Sequence, residues 1–123
     1  MDYYAGLDVS LEAPSICVVD SDGKIVVEAR APSDPEAIGK MLAATKLQLK
    51  RVGLETGPLC QWLYDGLRAL GLPAICVDAR HMQASLSAMR NKTDKHDARG
   101  IAQMMRVGLF RTVHVKSRES HAL

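Results

Sequence analysis

The sequence predicts an α/β fold: a five-stranded mixed sheet flanked by helices. Three observations carry that expectation. Two short apolar runs rich in Val and Ile meet at Ser21-Asp22-Gly23, which reads as an antiparallel hairpin. Beyond residue 33, apolar runs of strand length alternate with stretches of helical spacing, the pattern of βαβ units with parallel strands. The chain has 123 residues, 47% hydrophobic and 24% charged, a globular balance that fits one domain.

Taken in order, residues 3–9, 15–20 and 24–30 read as three strands of a meander. A helix opens at Ser33-Asp34-Pro35-Glu36, where Ser33 and Glu36 match a capping box and Pro35 suits a first turn. Ile38, Met41 and Leu42 form its apolar face, weakened by Gly39. Residues 50–55 read as a fourth strand. A helix from about Leu59 to Leu70 follows, with apolar residues at 59, 62, 63, 67 and 70, which assigns Trp62 to the core. Gly71-Leu72-Pro73 stops it, and Ala74 to Val77 reads as a fifth strand. Residues 81–89 have a helical reading. Thr93 can cap a last helix from Asp94 to about Val107, with Ala98, Ile101, Met104 and Met105 inward and Gly108 at its end. Strand 4 returns through a crossover, so it can lie parallel to strand 1. Asp8 and Glu55 then end neighbouring strands at one edge of the sheet.

Aromatic residues make up 4%, so aliphatic side chains and Met must build the core. No apolar run approaches the ~20 residues that span a bilayer, so no membrane partner is expected. Met1-Asp2-Tyr3 lacks the basic region of a signal peptide. The three cysteines are odd in number and scattered, and read as reduced core thiols of a cytoplasmic protein. The net charge of +2 is uninformative, but its distribution is not. From Arg80 to Lys116 there are eight Lys and Arg against two acids, whereas the rest of the chain has eight against twelve. A basic C-terminal third suits a polyanionic partner, although for charge asymmetry alone a solvated helix face is the slightly better account.

Four carboxylates carry the chemistry: Asp8, Glu55, Asp94 and Asp97. Asp8 follows Tyr3-Tyr4-Ala5-Gly6-Leu7, and Glu55 follows Val52-Gly53-Leu54. Asp94 and Asp97 stand three apart among bases, on one face of the expected helix. Taken singly, a strand-end Asp is a turn or cap residue, and acids in a first helical turn favour the helix dipole. Taken together, at places the topology brings close, they make a negative cluster that needs a hard cation, Mg²⁺ or else Mn²⁺. Phosphodiester cleavage by metal ions needs such carboxylates. Arg90, Lys92, Lys95 and Arg99 either follow a phosphate backbone or, for Lys95 and Arg99, form an exposed i,i+4 stripe. Ser10 lacks a base beside it and reads as a turn or cap, and no phosphate-binding loop is present.

Three segments, Tyr4-Ala5-Gly6-Leu7-Asp8-Val9-Ser10, Gly53-Leu54-Glu55-Thr56-Gly57 and Asn91-Lys92-Thr93-Asp94-Lys95-His96-Asp97-Ala98, resemble the N-terminal domain of DEDD insertion-sequence transposases. The resemblance covers roughly residues 3–116, and the last segment is its most specific part. It implies a RuvC-like, RNase-H-like fold of a bacterial recombinase. It also implies Asp8, Glu55, Asp94 and Asp97 as catalytic metal ligands for Mg²⁺, DNA as substrate, a guide RNA as partner, and homo-oligomeric complexes. Members of that family carry a further domain with a catalytic serine. The chain is therefore expected to be an N-terminal fragment, with residues 117–123 opening the next segment and strand exchange beyond its reach alone. Two alternatives stay open: a nucleic-acid-binding module without turnover, and a stand-alone Holliday-junction resolvase. The latter is disfavoured by Ser10-Leu11-Glu12, where resolvases carry glycine and then bases. A sugar- or acetate-kinase fragment would share the fold type but leaves Asp94 and Asp97 unexplained.

Overall fold

The computed structural model of the chain describes residues 1–8, 15–55, 59–77, 98–108 and 112. Its strands are β1 (Tyr3–Asp8), β2 (Ser15–Val19), β3 (Ile25–Arg30), β4 (Leu49–Glu55) and β5 (Ala74–Val77). Its helices are α1 (Pro35–Ala44), α2 (Cys60–Ala69) and α3 (Ala98–Val107). The strands form one five-stranded sheet in the order β3-β2-β1-β4-β5. The meander β1-β2-β3 is antiparallel, whereas β4 pairs parallel to β1 and β5 parallel to β4. This is the mixed α/β sheet that the hairpin and the crossovers predict. The helical reading of residues 81–89 and the stretch from Thr93 to Asp97 lie outside the described residues.

The hairpin between β2 and β3 turns on Asp20, whose carboxylate accepts from the backbone N–H of Asp22 at 2.9 Å and of Lys24 at 3.0 Å. Alternation along the strands then sorts side chains into two cores. On one face Leu7, Ile16 and Leu54 meet Ile38 and Leu42 of α1 and Leu63 and Leu67 of α2. On the other face Tyr4, Cys17, Val19 and Val77 meet Ala98, Ile101, Ala102, Met104 and Met105 of α3. The four residues expected inward on α3 are buried, joined by Ala102, and Gly108 ends the helix, donating to the Met104 carbonyl at 2.9 Å.

Three local expectations are corrected. The N-cap of α1 is Asp34 rather than Ser33: its carboxylate accepts from the Ala37 N–H at 3.2 Å, so the helix starts at Pro35. Trp62 is 48% exposed rather than core. The buried stripe of α2 runs Cys60, Leu63, Leu67, and Trp62 sits one position off it. Cys60 and Cys76 form a disulfide, with Cα atoms 6.9 Å apart, where separate thiols were expected. The first turn of α2 packs over β5 on the face that carries Cys76, so two cysteines distant in sequence become neighbours. Cys17 stays outside the disulfide, buried under α3.

Arg51 of β4 ties the far end of α3 to the sheet. Its guanidinium donates to the Met105 carbonyl and lies 5.7 Å from the centroid of the Tyr4 ring. A cation there satisfies a terminal carbonyl and opposes the negative end of the helix dipole. Arg51→Met keeps the aliphatic stem and removes both contacts. It is expected to lower unfolding free energy by about 1–2 kcal/mol in urea titrations. An unchanged midpoint would mean that water caps α3 equally well.

Candidate functional site

The sheet register brings two of the four predicted carboxylates together. Leu7 pairs with Leu54 across the parallel ladder, so Asp8 and Glu55 follow as the next residue on each strand. Neighbouring strands run about 4.8 Å apart. Tyr4, Gly6 and Asp8 share one side of β1, and Arg51, Gly53 and Glu55 share the same side of β4; this is the side that α3 covers. Both carboxylates are half-buried.

Two glycines let α3 descend onto this face. A Cβ on Gly6 would stand 2.3 Å from the Ala98 carbonyl oxygen and 2.4 Å from the Ala102 nitrogen. A Cβ on Gly53 would stand 2.8 Å from both Ile101 Cγ2 and Met105 Sδ. Ala98, the first residue of α3, therefore lies over the strand position two before Asp8. The positive end of the helix dipole faces the carboxylate end of the sheet, an arrangement favourable to negative charge.

The same row of the sheet continues the other way. Asp8 pairs with Ser15, and Ser15 pairs with Arg30. Directly opposite residues share a face, so Ser15 and Arg30 lie on the α3 side with Asp8. Between them and the start of α3 opens a cleft of about 550 Å³, lined by Ser15, Glu28, Arg30, Ala98 and Arg99 among others. Glu28 and Arg99 close one side as a two-point pair, with Nε donating to Oε2 at 2.7 Å and Nη2 to Oε1 at 3.0 Å. The hydrogen bond from Arg99 holds the Glu28 carboxyl below its ordinary range. Any stability the pair adds is present at neutral pH and lost as the pH falls through that depressed value. The pair is solvent-exposed, so that contribution is small.

Arg99, expected along a phosphate backbone, is thus engaged by Glu28. Asp94, Asp97, Arg90, Lys92 and Lys95 lie outside the described residues, as does Ser10. Among the described residues no cluster of three or more His, Cys, Asp or Glu is placed to hold a metal ion. Sequence reasoning missed Ser15, Glu28 and Arg30. Counting outward from the hairpin would pair Ser15 with Ala29; the register shift between Val18 and Val19 sets Arg30 opposite Ser15 instead, and nothing in the sequence signals that shift. Among the described residues, no helix is long and apolar enough to cross a membrane.

The sequence profile of a DEDD transposase family of the IS110 type, described as a transposase, matches residues 5–123. Among solved structures the fold is similar to T. thermophilus RuvC in complex with a Holliday junction substrate. That match has a TM-score of 0.63 at 11% identity, covering 92% of this chain and 100% of that one. The fowlpox virus Holliday junction resolvase is similar with a TM-score of 0.50 at 10% identity, covering 86% of this chain and 96% of that one. At these identities the likeness is one of fold, and it is the RuvC-like fold that the sequence segments imply. No curated protein sequence matches.

Proposed function

Because the chain belongs to the IS110-type DEDD transposase family, we propose that it is the metal-dependent catalytic domain that cleaves and rejoins DNA strands in transposition. The observation that carries this reading is the placement of Asp8 and Glu55 on one face at neighbouring parallel strand ends, beside the start of α3. Carboxylate oxygens are hard donors, and two of them at this spacing suit Mg²⁺ or Mn²⁺. Asp94 and Asp97 complete the proposed ligand set. Asp97 is one peptide unit from Ala98, whose carbonyl lies over Gly6. A bound divalent ion would supply Lewis-acid stabilisation of charge at the phosphoryl and leaving oxygens.

The chain's own residues have distinct tasks in this proposal. Asp8 and Glu55 would hold the cation at the strand ends, where the scissile phosphate would lie. The N-terminal end of α3 offsets part of their mutual repulsion. Arg90, Lys92 and Lys95 contribute charge along the nucleic-acid backbone, and Arg99 contributes while paired with Glu28. A guide RNA and an assembly of several copies belong to the same proposal, and rest on the resemblance of the three sequence segments alone.

The test is cleavage. The 123-residue chain is incubated with labelled four-way and single-stranded DNA in Mg²⁺, Mn²⁺ or EDTA. Nicks that require the divalent ion are the expected result. Binding without nicks in either metal would replace this reading with a nucleic-acid-binding module. Neither binding nor nicks would overturn both.

A further inference from the structure

We infer that the cleft beside Asp8 is a subsite for a backbone phosphate of the DNA strand, and that Arg30 is the positioning residue that holds it. This rests on the catalytic reading above and adds to it a residue and a place. Arg30 ends β3 in the same cross-sheet row as Asp8, with Ser15 between them. Two strand spacings put its Cα about 10 Å from that of Asp8, a gap that a long arginine side chain largely spans. Its side chain lies on the α3 face and lines the cleft.

Among the described residues the charge of Arg30 has no partner. It is exposed and makes no ion pair or hydrogen bond among the described residues. Glu28, two residues before it on the same face, is its natural competitor, but both Glu28 oxygens are occupied by Arg99. The pair therefore keeps Glu28 from Arg30 and forms one wall of the cleft. The volume, about 550 Å³, is that of a site for a nucleotide-sized group rather than a bare ion. Arginine presents a planar fork of donors that matches two oxygens of one phosphate, and the Ser15 hydroxyl adds a donor at the cleft floor. A strand whose scissile phosphate sits at Asp8 and Glu55 would lay a neighbouring phosphate in this cleft.

The experiment measures binding of the 123-residue chain to a fluorescent single strand by anisotropy, with Ca²⁺ replacing Mg²⁺, across a range of salt. A set of strands carries one neutral methylphosphonate at each linkage in turn. Arg30→Gln is expected to bind about tenfold more weakly and to flatten the salt dependence by about 0.7 in log–log slope, one phosphate contact. One linkage whose neutralisation weakens the unaltered chain should cease to matter in the variant. Arg30→Lys should keep the slope and lose part of the affinity, because charge stays and the fork goes. Lys40→Gln, an exposed base on α1 across the sheet, should change neither quantity appreciably. If Arg30→Gln keeps affinity and slope, Arg30 is no more than an edge-strand charge, and the subsite is overturned while the catalytic reading stands. Equal losses at every linkage, or an equal loss in Lys40→Gln, would also overturn it. If the unaltered chain binds no DNA at any salt, the catalytic reading falls and the subsite with it.

Discussion

Gly6→Ala is expected to cost at least about 3 kcal/mol of unfolding free energy, the upper end of what overpacking does. The added methyl would meet backbone on α3: the Ala98 oxygen at 2.3 Å, the Ala102 nitrogen at 2.4 Å and the Ile101 carbonyl carbon at 2.9 Å. Backbone has no rotamer to turn aside. Nor can β1 retreat, because it is hydrogen-bonded to β2 on one edge and β4 on the other. Relief comes when α3 lifts, and lifting uncovers Ile101, Met104 and Met105, all fully buried. The intrinsic preference of a strand for Ala over Gly works the other way, but by less than about 1 kcal/mol. Gly53→Ala is the internal comparison. Its added methyl would meet the ends of two side chains, Ile101 Cγ2 and Met105 Sδ, which can shift, so about 1–2 kcal/mol is expected. Urea titrations of both variants measure the difference. Equal costs would mean that α3 does not rest on β1 through its backbone.

That contrast shows what was legible in the sequence. The order of elements, the parallel return of β4 and the inward set of α3 follow from periodicity, because alternation and helical spacing are local properties of the chain. The placement of Asp8 beside Glu55 follows from one further rule, the crossover through α1 that returns β4 parallel to β1. What stayed hidden depends on contacts between elements. Gly6 and Gly53 look like ordinary strand glycines until α3 is laid over them. Cys60 and Cys76 look like separate core thiols until α2 is seated on β5. Arg99 looks like a free helix-surface base, and only the docking of α3 beside β3 brings it to Glu28. Arg30 drew no notice because strand-end arginines are common, and its meaning comes from the row it shares with Asp8. The carboxylate motif itself was legible as residues. Its proposed completion by Asp94 and Asp97 rests on the sequence segment that carries them.

Asp8→Asn is expected to abolish the response of the domain to divalent cations while leaving the fold intact. Asp8 and Glu55 are like charges at the ends of adjacent parallel strands, and like charges side by side in a sheet are destabilising. Relief of that repulsion offsets part of what the substitution costs, so without a divalent ion the variant should melt close to the unaltered chain. With Mg²⁺ the gap widens. An ion that binds the folded state alone stabilises by mass action, about 1.4 kcal/mol at roughly ten times its dissociation constant, a rise of about 5 °C for a domain of this size. The unaltered chain should show that rise with Mg²⁺ and Mn²⁺, and Asp8→Asn should show almost none. Glu55→Gln should behave alike, since a hard cation needs charged oxygens from both strands. Metal-dependent nicking by the Asp8 variant should fall by about two to three orders of magnitude, the usual loss when one preorganised charge is taken from a reacting centre. A gap between the two melting series that is small in EDTA and wide in Mg²⁺ is the signature of a carboxylate whose role is to hold a cation. A purely structural Asp8 would lower the melting temperature equally in both buffers. A variant that keeps the whole Mg²⁺-dependent rise would remove Asp8 from the site.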